Sequence, residues 1–577
     1  MTDRQTDRQT DRQGLSGYPS TDKPWLKYYS GNVALDLNPE CSLWEFLYNC
    51  NKDHLEYPAL NYFGNRISYG GLFKKIDEVA SALNAMGIRA GDIVSVCPLN
   101  TPEFVYLLYA INKIGAVSNW LGITSPVQDL KEQVLSTNSK YLFVVEPAYD
   151  MVMEAVKGTR IERIIVVPLS DSMPGWMKIA YGLKNRKMAM NNSWNAFLRP
   201  SGGKKKIPSL ARGDNLAMIQ YTGGSTGVPK GVMLTNKNLN AYYLSFERAN
   251  GCGISNFQKG DRYLACVPLF LAFGASASCH GPLCHTMELV LAPDPSPRTL
   301  GRLILKRKPQ HIVAGRVQID GFLREATKAR KDLSYIRSIM YGGEAANRSW
   351  EQNMAKTLQT FRMEAPILNG YGMTECSSCI LVATKDNRDG LIPLGNVDVK
   401  IIDPDSPHIE RGYDTEGELC LSADTVMRGY YLKDAETEEV IFEEEGVHWL
   451  RTRDLATISK DGRIHLTGRI KRIYHKLNSE KVGTRVYPMR IEEVITAGGG
   501  VEACAVVGVI DEKTAYRTIA FVVLSDGVED RNQAIDRIDR LCRKNLPDSH
   551  IPDEYRFVDS FPLTRGGKVD YRELEKG

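Results

Sequence analysis

No apolar run in this chain approaches the roughly 18 residues that a bilayer-spanning helix requires. The first residues, three repeats of Thr-Asp-Arg-Gln ending at Gln13, carry no hydrophobic leader core. A cytoplasmic protein is therefore the default expectation. Charge of one sign is lacking too: 73 basic residues stand against 69 acidic ones, a formal net charge of +4. Without a polycationic character, no nucleic-acid partner is implied. Cysteine is thin and scattered, 12 residues in 577, which reads as reduced thiols and excludes a small disulfide scaffold. Cys279-His280 with Cys284-His285, and Cys376-x-x-Cys379, place ligand-type residues close together, yet neither has the paired CxxC or HxxxH pattern of a zinc module.

What is present points to an α/β protein of two or more domains, since 577 residues exceed one typical core. The polar, charge-alternating start has no face to bury, and residues 1–24 are expected to be a disordered tail. From Cys41 onward, apolar runs and helical patterns alternate. Leu72, Ile76, Val79, Ala80, Leu83 and Met86 recur at helical spacing, Ile93 to Cys97 reads as a strand, and Thr101-Pro102 opens a helix running to Ile114. Gln128–Ser136 reads as a helix, Tyr141–Val145 and Arg163–Val167 as strands. The rhythm resumes with a helix over Asn236–Ala249 and strands at Tyr263–Val267, Glu288–Leu291, His311–Ala314, Ile336–Met340 and Pro366–Leu368. This alternation predicts parallel-rich sheets covered by helices, with ligands gathering at the carboxyl ends of the strands. Past Asp403 short β runs, Gly417 to Leu421 and Arg463 to Leu466, predict a β subdomain, and a hinge to a smaller unit is expected near Gly468.

Residues Asp171 to Ser209 break the rhythm. Trp176, Ile179, Ala180 and Leu183 fall at i, i+3, i+4 and i+7, with Lys178, Lys184, Arg186 and Lys187 around them. Two arrangements suit this pattern: a packed insertion with a solvated charged face, which is the expectation taken here, or a basic amphipathic helix making peripheral membrane contact over Trp176 to Lys187.

The chain is organised around Tyr221 to Val232, YTGGSTGVPKGV, which follows the apolar run Leu216 to Tyr221. Glycines let backbone N–H groups turn toward a ligand, Ser and Thr add hydroxyl donors, and Lys230 adds a charge, together a cradle for a polyanion. It is not a Walker A loop, because Pro229 separates the last glycine from the lysine and no Ser or Thr follows. As written it closely resembles the phosphate-binding signature of the adenylate-forming superfamily, which includes acyl-CoA synthetases, carrier-protein adenylation domains and luciferases. Asn369-Gly-Tyr-Gly-Met-Thr-Glu375 is similar to a second motif of that family, Tyr341-Gly-Gly-Glu-Ala to the loop bordering adenine, Trp449 to Asp454 to the ribose-binding motif, and Pro562 to Tyr571 to the final motif.

The resemblance covers about residues 40–575. It implies a large N-terminal domain over 25–469 and a small mobile α+β lid over 470–577. It implies ATP-dependent activation of a carboxylic acid, with Mg²⁺ and coenzyme A, or else delivery of the acyl group to a separate carrier protein; a catalytically inactive nucleotide-binding relative is the alternative from another class. By it, Thr222, Gly223, Gly224, Ser225, Thr226, Gly227 and Lys230 hold phosphate. Gly343, Glu344, Asn369, Gly370, Tyr371 and Gly372 border the adenine, Thr374 binds the α-phosphate, and Glu375 holds the metal. Asp454 and Arg469 take the ribose, and Lys568 on the lid is the catalytic lysine. Three departures stand out: Leu271 where many relatives have histidine, Arg453 where glycine usually precedes the aspartate, and a hinge-distal hairpin that is longer and lacks its glycine pair. The small residues Gly274, Ala275, Ser276 and Ala277 are expected to leave room for an acyl group.

Overall fold

The computed structural model describes the chain except for residues 1–14, 30–37, 185–193, 200–206, 223–228, 251–256, 343–347, 385–389, 478–482, 512, 526–529, 564–568 and 577. Two parallel-rich sheets form its larger part. One runs in the order Gly429–Tyr430, Gly231–Thr235, Leu216–Tyr221, Val117–Trp120, Ile93–Cys97, Tyr141–Val145, Arg163–Val167. Its last five strands are parallel and its first two join antiparallel. The other has Ile367–Met373, Ser338–Gly342, His311–Ala314, Arg262–Ala265, Glu288–Leu291 and Pro58–Tyr62 as a parallel centre, with antiparallel strands at both edges. Strands such as Tyr141–Val145 are apolar throughout because both faces are covered. Helix Pro102–Lys113, with proline in its first turn, is buried at every position. Its one lysine end, Lys113, pairs with Asp77 and lies 4.1 Å above the Trp44 ring.

An antiparallel β unit follows, in the order Glu410–Arg411, Asp398–Ile402, Gly417–Ser422, Val447–Ile458, Ile441–Glu444, with Ile464–Arg469 also paired to Val447–Ile458. Beyond it lie the hairpin Tyr474–Leu477 with Gly483–Val486, and a three-stranded sheet of Val501–Asp511, Ala515–Leu524 and Glu554–Phe557. Helices Pro488–Thr496 and Arg531–Asn545 contribute Ile491, Ile495 and Ile538 to a separate core with Tyr474, Val506 and Val522. The α/β class with a large mixed unit and a smaller α+β one is as the sequence indicates.

Several expectations need correction. Residues 19–23 are not a disordered tail: Pro19–Asp22 forms a helical turn, Tyr413 Oη donates to Asp22 Oδ2 at 2.8 Å, and Lys23 reaches Asp398 at 2.7 Å, just ahead of the buried Trp25, while residues 1–14 lie outside the described residues. The strand expected at Ile336 begins at Ser338, because Ile336 closes a turn by donating its N–H to Leu333 O. The strand expected at Pro366–Leu368 runs on to Met373. The segment over Gly175–Lys184 is a helix, but it is not packed with its apolar face inward: Trp176, Ile179 and Leu183 are exposed.

Candidate functional site

Strand Leu216–Tyr221 ends where the glycine-rich stretch starts, and Gly231–Thr235 returns antiparallel beside it. The mouth is closed by a reciprocal pair: Thr222 N–H donates to Lys230 O at 3.0 Å, and Lys230 N–H donates to Thr222 Oγ1 at 3.2 Å. Gly223, Gly224, Ser225, Thr226 and Gly227 lie outside the described residues, as do Gly343, Glu344 and Lys568.

Lys230 does not stand alone. Its Nζ sits 4.5 Å from the centre of the Tyr430 ring, and Tyr430 Oη donates to Glu375 Oε1 at 2.8 Å. Tyr430 is brought there by the edge strand Gly429–Tyr430, which pairs with Val232 and Met233 just past Lys230. Glu375 lies in a single 3₁₀ turn, Thr374–Cys376, between Ile367–Met373 and Ser378–Val382. That reversal is tight: a Cβ on Gly372 would stand 2.0 Å from Ser378 O, and Ser377 takes φ +65°. Glu375 is buried, and burial raises its carboxyl above the usual range, offset by the Tyr430 hydroxyl and, through space, by Arg469 and Lys230.

A second carboxylate is held differently. Asp454 Oδ1 pairs with Arg469 Nε at 2.7 Å, its cross-strand partner, and Tyr371 Oη donates to Asp454 Oδ2 at 2.6 Å. Arg453, before it, adopts φ +63°, so the arginine takes the left-handed conformation that glycine would take freely. Its N–H donates to Glu418 Oε1 at 3.1 Å and its Nη2 to Glu439 O at 2.9 Å. Glu418, fully buried, also accepts from Arg451 Nη2 at 2.6 Å, so one buried carboxylate fixes the turn. Asn369 Oδ1 is buried without a hydrogen-bond partner among the described residues, an acceptor left for a ligand. Gly370 and Gly372 flank Tyr371 on the same strand.

Below these strand ends lies an aromatic cavity. Ser338 and Met340, on one face of their strand, form part of its wall. It is small, about 20 Å³ between Tyr242, Tyr243, Phe257, Tyr263 and His285, room for about one water molecule. His285 Nδ1 sits 3.0 Å from Glu247 Oε2. Of the four small residues expected to leave room, Ala277 alone lines this cavity. Gly274 serves a close backbone approach, since a Cβ there would lie 1.9 Å from Pro268 O. His280, in the neighbouring π-helical turn Ser276–His280, is bonded to Tyr109 at 3.0 Å and Asn240 at 3.1 Å, and burial lowers its pKa to about 3. Arg472, near the expected hinge, pairs with Glu492 at 2.5 Å and stacks 3.7 Å from the centre of Tyr571.

Tyr430, Glu418 and the cavity aromatics escaped the sequence reading. Tyr430 is 55 residues from Glu375 and 200 from Lys230, and only strand pairing brings the three together.

Comparison with known proteins identifies the family. The family described as "AMP-binding enzyme" matches residues 47–431, and "AMP-binding enzyme C-terminal domain" matches residues 490–568. A long-chain-fatty-acid–CoA ligase of Bacillus subtilis (strain 168) is 24% identical over 569 residues, covering 96% of this chain and 98% of that protein. A feruloyl-CoA synthase of an Amycolatopsis species is 26% identical over 532 residues, covering 90% and 95%. Among solved structures, the anthranilate CoA ligase AuaEII in complex with anthranoyl-AMP superposes with a TM-score of 0.79 at 20% identity, over 94% of this chain and 98% of that one. The amide bond synthetase McbA from Marinactinospora thermotolerans superposes at 0.75 with 23% identity, over 93% and 99%. The chain belongs to the AMP-binding enzyme family, within the adenylate-forming superfamily that its motifs resemble.

Proposed function

We propose that this protein joins a carboxylic acid to coenzyme A in two steps driven by ATP. In the first, a carboxylate oxygen of the acid attacks the α-phosphorus, the bond from that phosphorus to the bridging oxygen breaks, and pyrophosphate leaves. In the second, the thiolate of coenzyme A attacks the acyl carbon of the acyl-adenylate and AMP departs. The observation that carries this reading is the line Lys230–Tyr430–Glu375, a phosphate-loop cation and a buried carboxylate joined through one tyrosine at the mouth of the strands.

In this reading Lys230 and the donors of Thr222 to Gly227 hold the β- and γ-phosphates, so that charge on the departing pyrophosphate is neutralised. Thr374 binds the α-phosphate. Asp454 accepts the ribose hydroxyls, steadied by Arg469, while the Tyr371 ring meets the adenine and its hydroxyl braces Asp454. Lys568 reaches the α-phosphate and the attacking carboxylate from the smaller domain. A magnesium ion fits Glu375: the carboxylate is buried, and Tyr430, which donates a hydrogen bond to it, is neutral. When bound, the ion supplies Lewis-acid stabilisation of phosphate charge.

Substrate-dependent exchange of pyrophosphate into ATP, over a panel from acetate through long-chain to aryl acids, tests the first step. Thioester formation with coenzyme A, a holo-carrier protein or hydroxylamine as acceptor tests the second. Lys568→Ala is expected to suppress exchange while leaving ATP binding intact. Exchange with no acid on the panel would favour a nucleotide-binding protein without catalysis, and turnover only with the holo-carrier would replace coenzyme A as the acceptor.

A further inference from the structure

Helix Gly175–Lys184 is mounted on the protein by its polar side. Tyr181 Oη donates to Glu146 Oε2 at 3.1 Å, and Lys178 Nζ donates to Asp171 Oδ1 at 3.0 Å and to Asp171 O at 3.2 Å. Met177 and Tyr181 are half-buried, whereas Trp176, Ile179 and Leu183 are 72%, 68% and 63% exposed. At 100° per residue the three apolar side chains fall within about 60° of one another and lie opposite Tyr181. A helix whose apolar stripe serves the protein's own core has the reverse arrangement.

The charge around this helix is also uneven. From residue 175 to residue 206 the sequence holds eight lysines and arginines and no acidic residue, in a chain whose totals are otherwise nearly balanced. Lys178, Lys184, Arg186, Lys187, Arg199 and Lys204–Lys206 carry that charge. An outward stripe of Trp, Ile and Leu on a stretch of sequence rich in positive charge is complementary to a surface that is apolar beneath and anionic on top. A second copy of this face supplies the apolar part but not the anionic one, because it would bring like charges together across a two-fold axis.

We propose that Gly175–Lys184 is an interfacial helix that seats the protein on anionic phospholipid membranes. Trp176, Ile179 and Leu183 enter the boundary between headgroups and acyl chains, and the basic character of the sequence from 175 to 206 favours an anionic surface. The inference is independent of the proposed reaction, since lipid binding is read without turnover.

The test is sedimentation of the full chain with phosphatidylcholine vesicles, with and without phosphatidylglycerol. The wild-type protein is expected to pellet with the anionic vesicles, less so as salt is raised, and weakly with the neutral ones. The combined variant Trp176→Ser, Ile179→Ser, Leu183→Ser is expected to bind the anionic vesicles roughly tenfold more weakly, with an unchanged circular dichroism spectrum. A second variant, Lys184→Gln with Arg186→Gln and Lys187→Gln, is expected to lose much of the preference for anionic lipid while keeping the apolar stripe. Equal binding by the wild type and the serine variant would overturn the proposal. So would a wild-type protein that ignores anionic vesicles, or one that is dimeric in sedimentation and becomes monomeric on the serine substitutions.

Discussion

Asp454 and Glu375 are two buried carboxylates of one site, held in different ways. Asp454 has a cation at 2.7 Å and a phenol at 2.6 Å, both supplied by strands adjacent to its own site. Glu375 has the hydroxyl of Tyr430 at 2.8 Å and feels Arg469 and Lys230 only through space. The first is a finished acceptor whose geometry is set before a ligand arrives. The second is a carboxylate under tension, since burial opposes its charge and its neighbours answer only in part. A polar ligand group suits the first, and a cation suits the second.

Removing the charge at the second position should give the largest effect. Glu375→Gln is expected to lower pyrophosphate exchange by roughly a hundredfold or more. In metal-free protein the same substitution should act in the opposite direction on stability. Burial raises the Glu375 pKa, so the folded state holds this proton more tightly than the unfolded one, and stability falls as pH rises between the ordinary carboxylate value and the raised one. Glutamine carries no such cost, so in a chelator Glu375→Gln should melt above the wild type at neutral pH and level with it below pH about 4. A lower melting temperature for the variant at neutral pH would mean that Glu375 is already compensated, and the contrast with Asp454 would fail.

Asp454→Asn should act on binding instead. Hydrogen bonds to a charged group contribute about 1.5–3 kcal/mol, which corresponds to a rise in the KM for ATP of roughly tenfold to a hundredfold with a smaller change in kcat. A loss confined to kcat would place Asp454 with Glu375 in the chemical step. Tyr430→Phe keeps the ring beneath Lys230 and removes only the bond to Glu375, an effect of about 1 kcal/mol. Titration of the exchange reaction with Mg²⁺ should then show a requirement raised about fivefold. No change would assign Tyr430 to packing.

The sequence made legible those parts of the site in which neighbouring residues carry the chemistry. Lys230 beside its glycines and Glu375 after Thr374 are local patterns, and the parallel strands that present them are apolar runs bounded by turn residues. Tyr430 was not legible, because its role depends on an edge strand two residues long docking beside Lys230. The direction of helix Gly175–Lys184 was not legible either. Periodicity marks its apolar stripe, but which side meets the protein is decided by Asp171 and Glu146. Likewise Gly274 and Ala277 look alike as small residues, and only the position of Pro268 O separates a packing glycine from a cavity wall.

The smallest expected effect tests how completely the Asp454 side is finished. Arg453 holds φ +63° immediately before Asp454, a conformation that costs a side-chain-bearing residue of order 1 kcal/mol and glycine almost nothing. Its backbone N–H is fixed by Glu418 Oε1, a bond that any residue but proline would retain, whereas the side-chain bond to Glu439 O and the longer ion pair of Nε with Glu418 Oε1 at 4.0 Å are lost on truncation. Arg453→Gly therefore relieves the strain, forfeits one peripheral hydrogen bond and gains unfolded-chain entropy, terms of similar size and opposed sign. The melting temperature should move by no more than a few degrees, and the KM for ATP should stay within about twofold because Arg469 and Tyr371 continue to orient Asp454. A large rise in that KM would mean that the arginine side chain itself, rather than the turn it occupies, positions the aspartate. The ribose end would then be as dependent on a distant contact as Glu375 is on Tyr430.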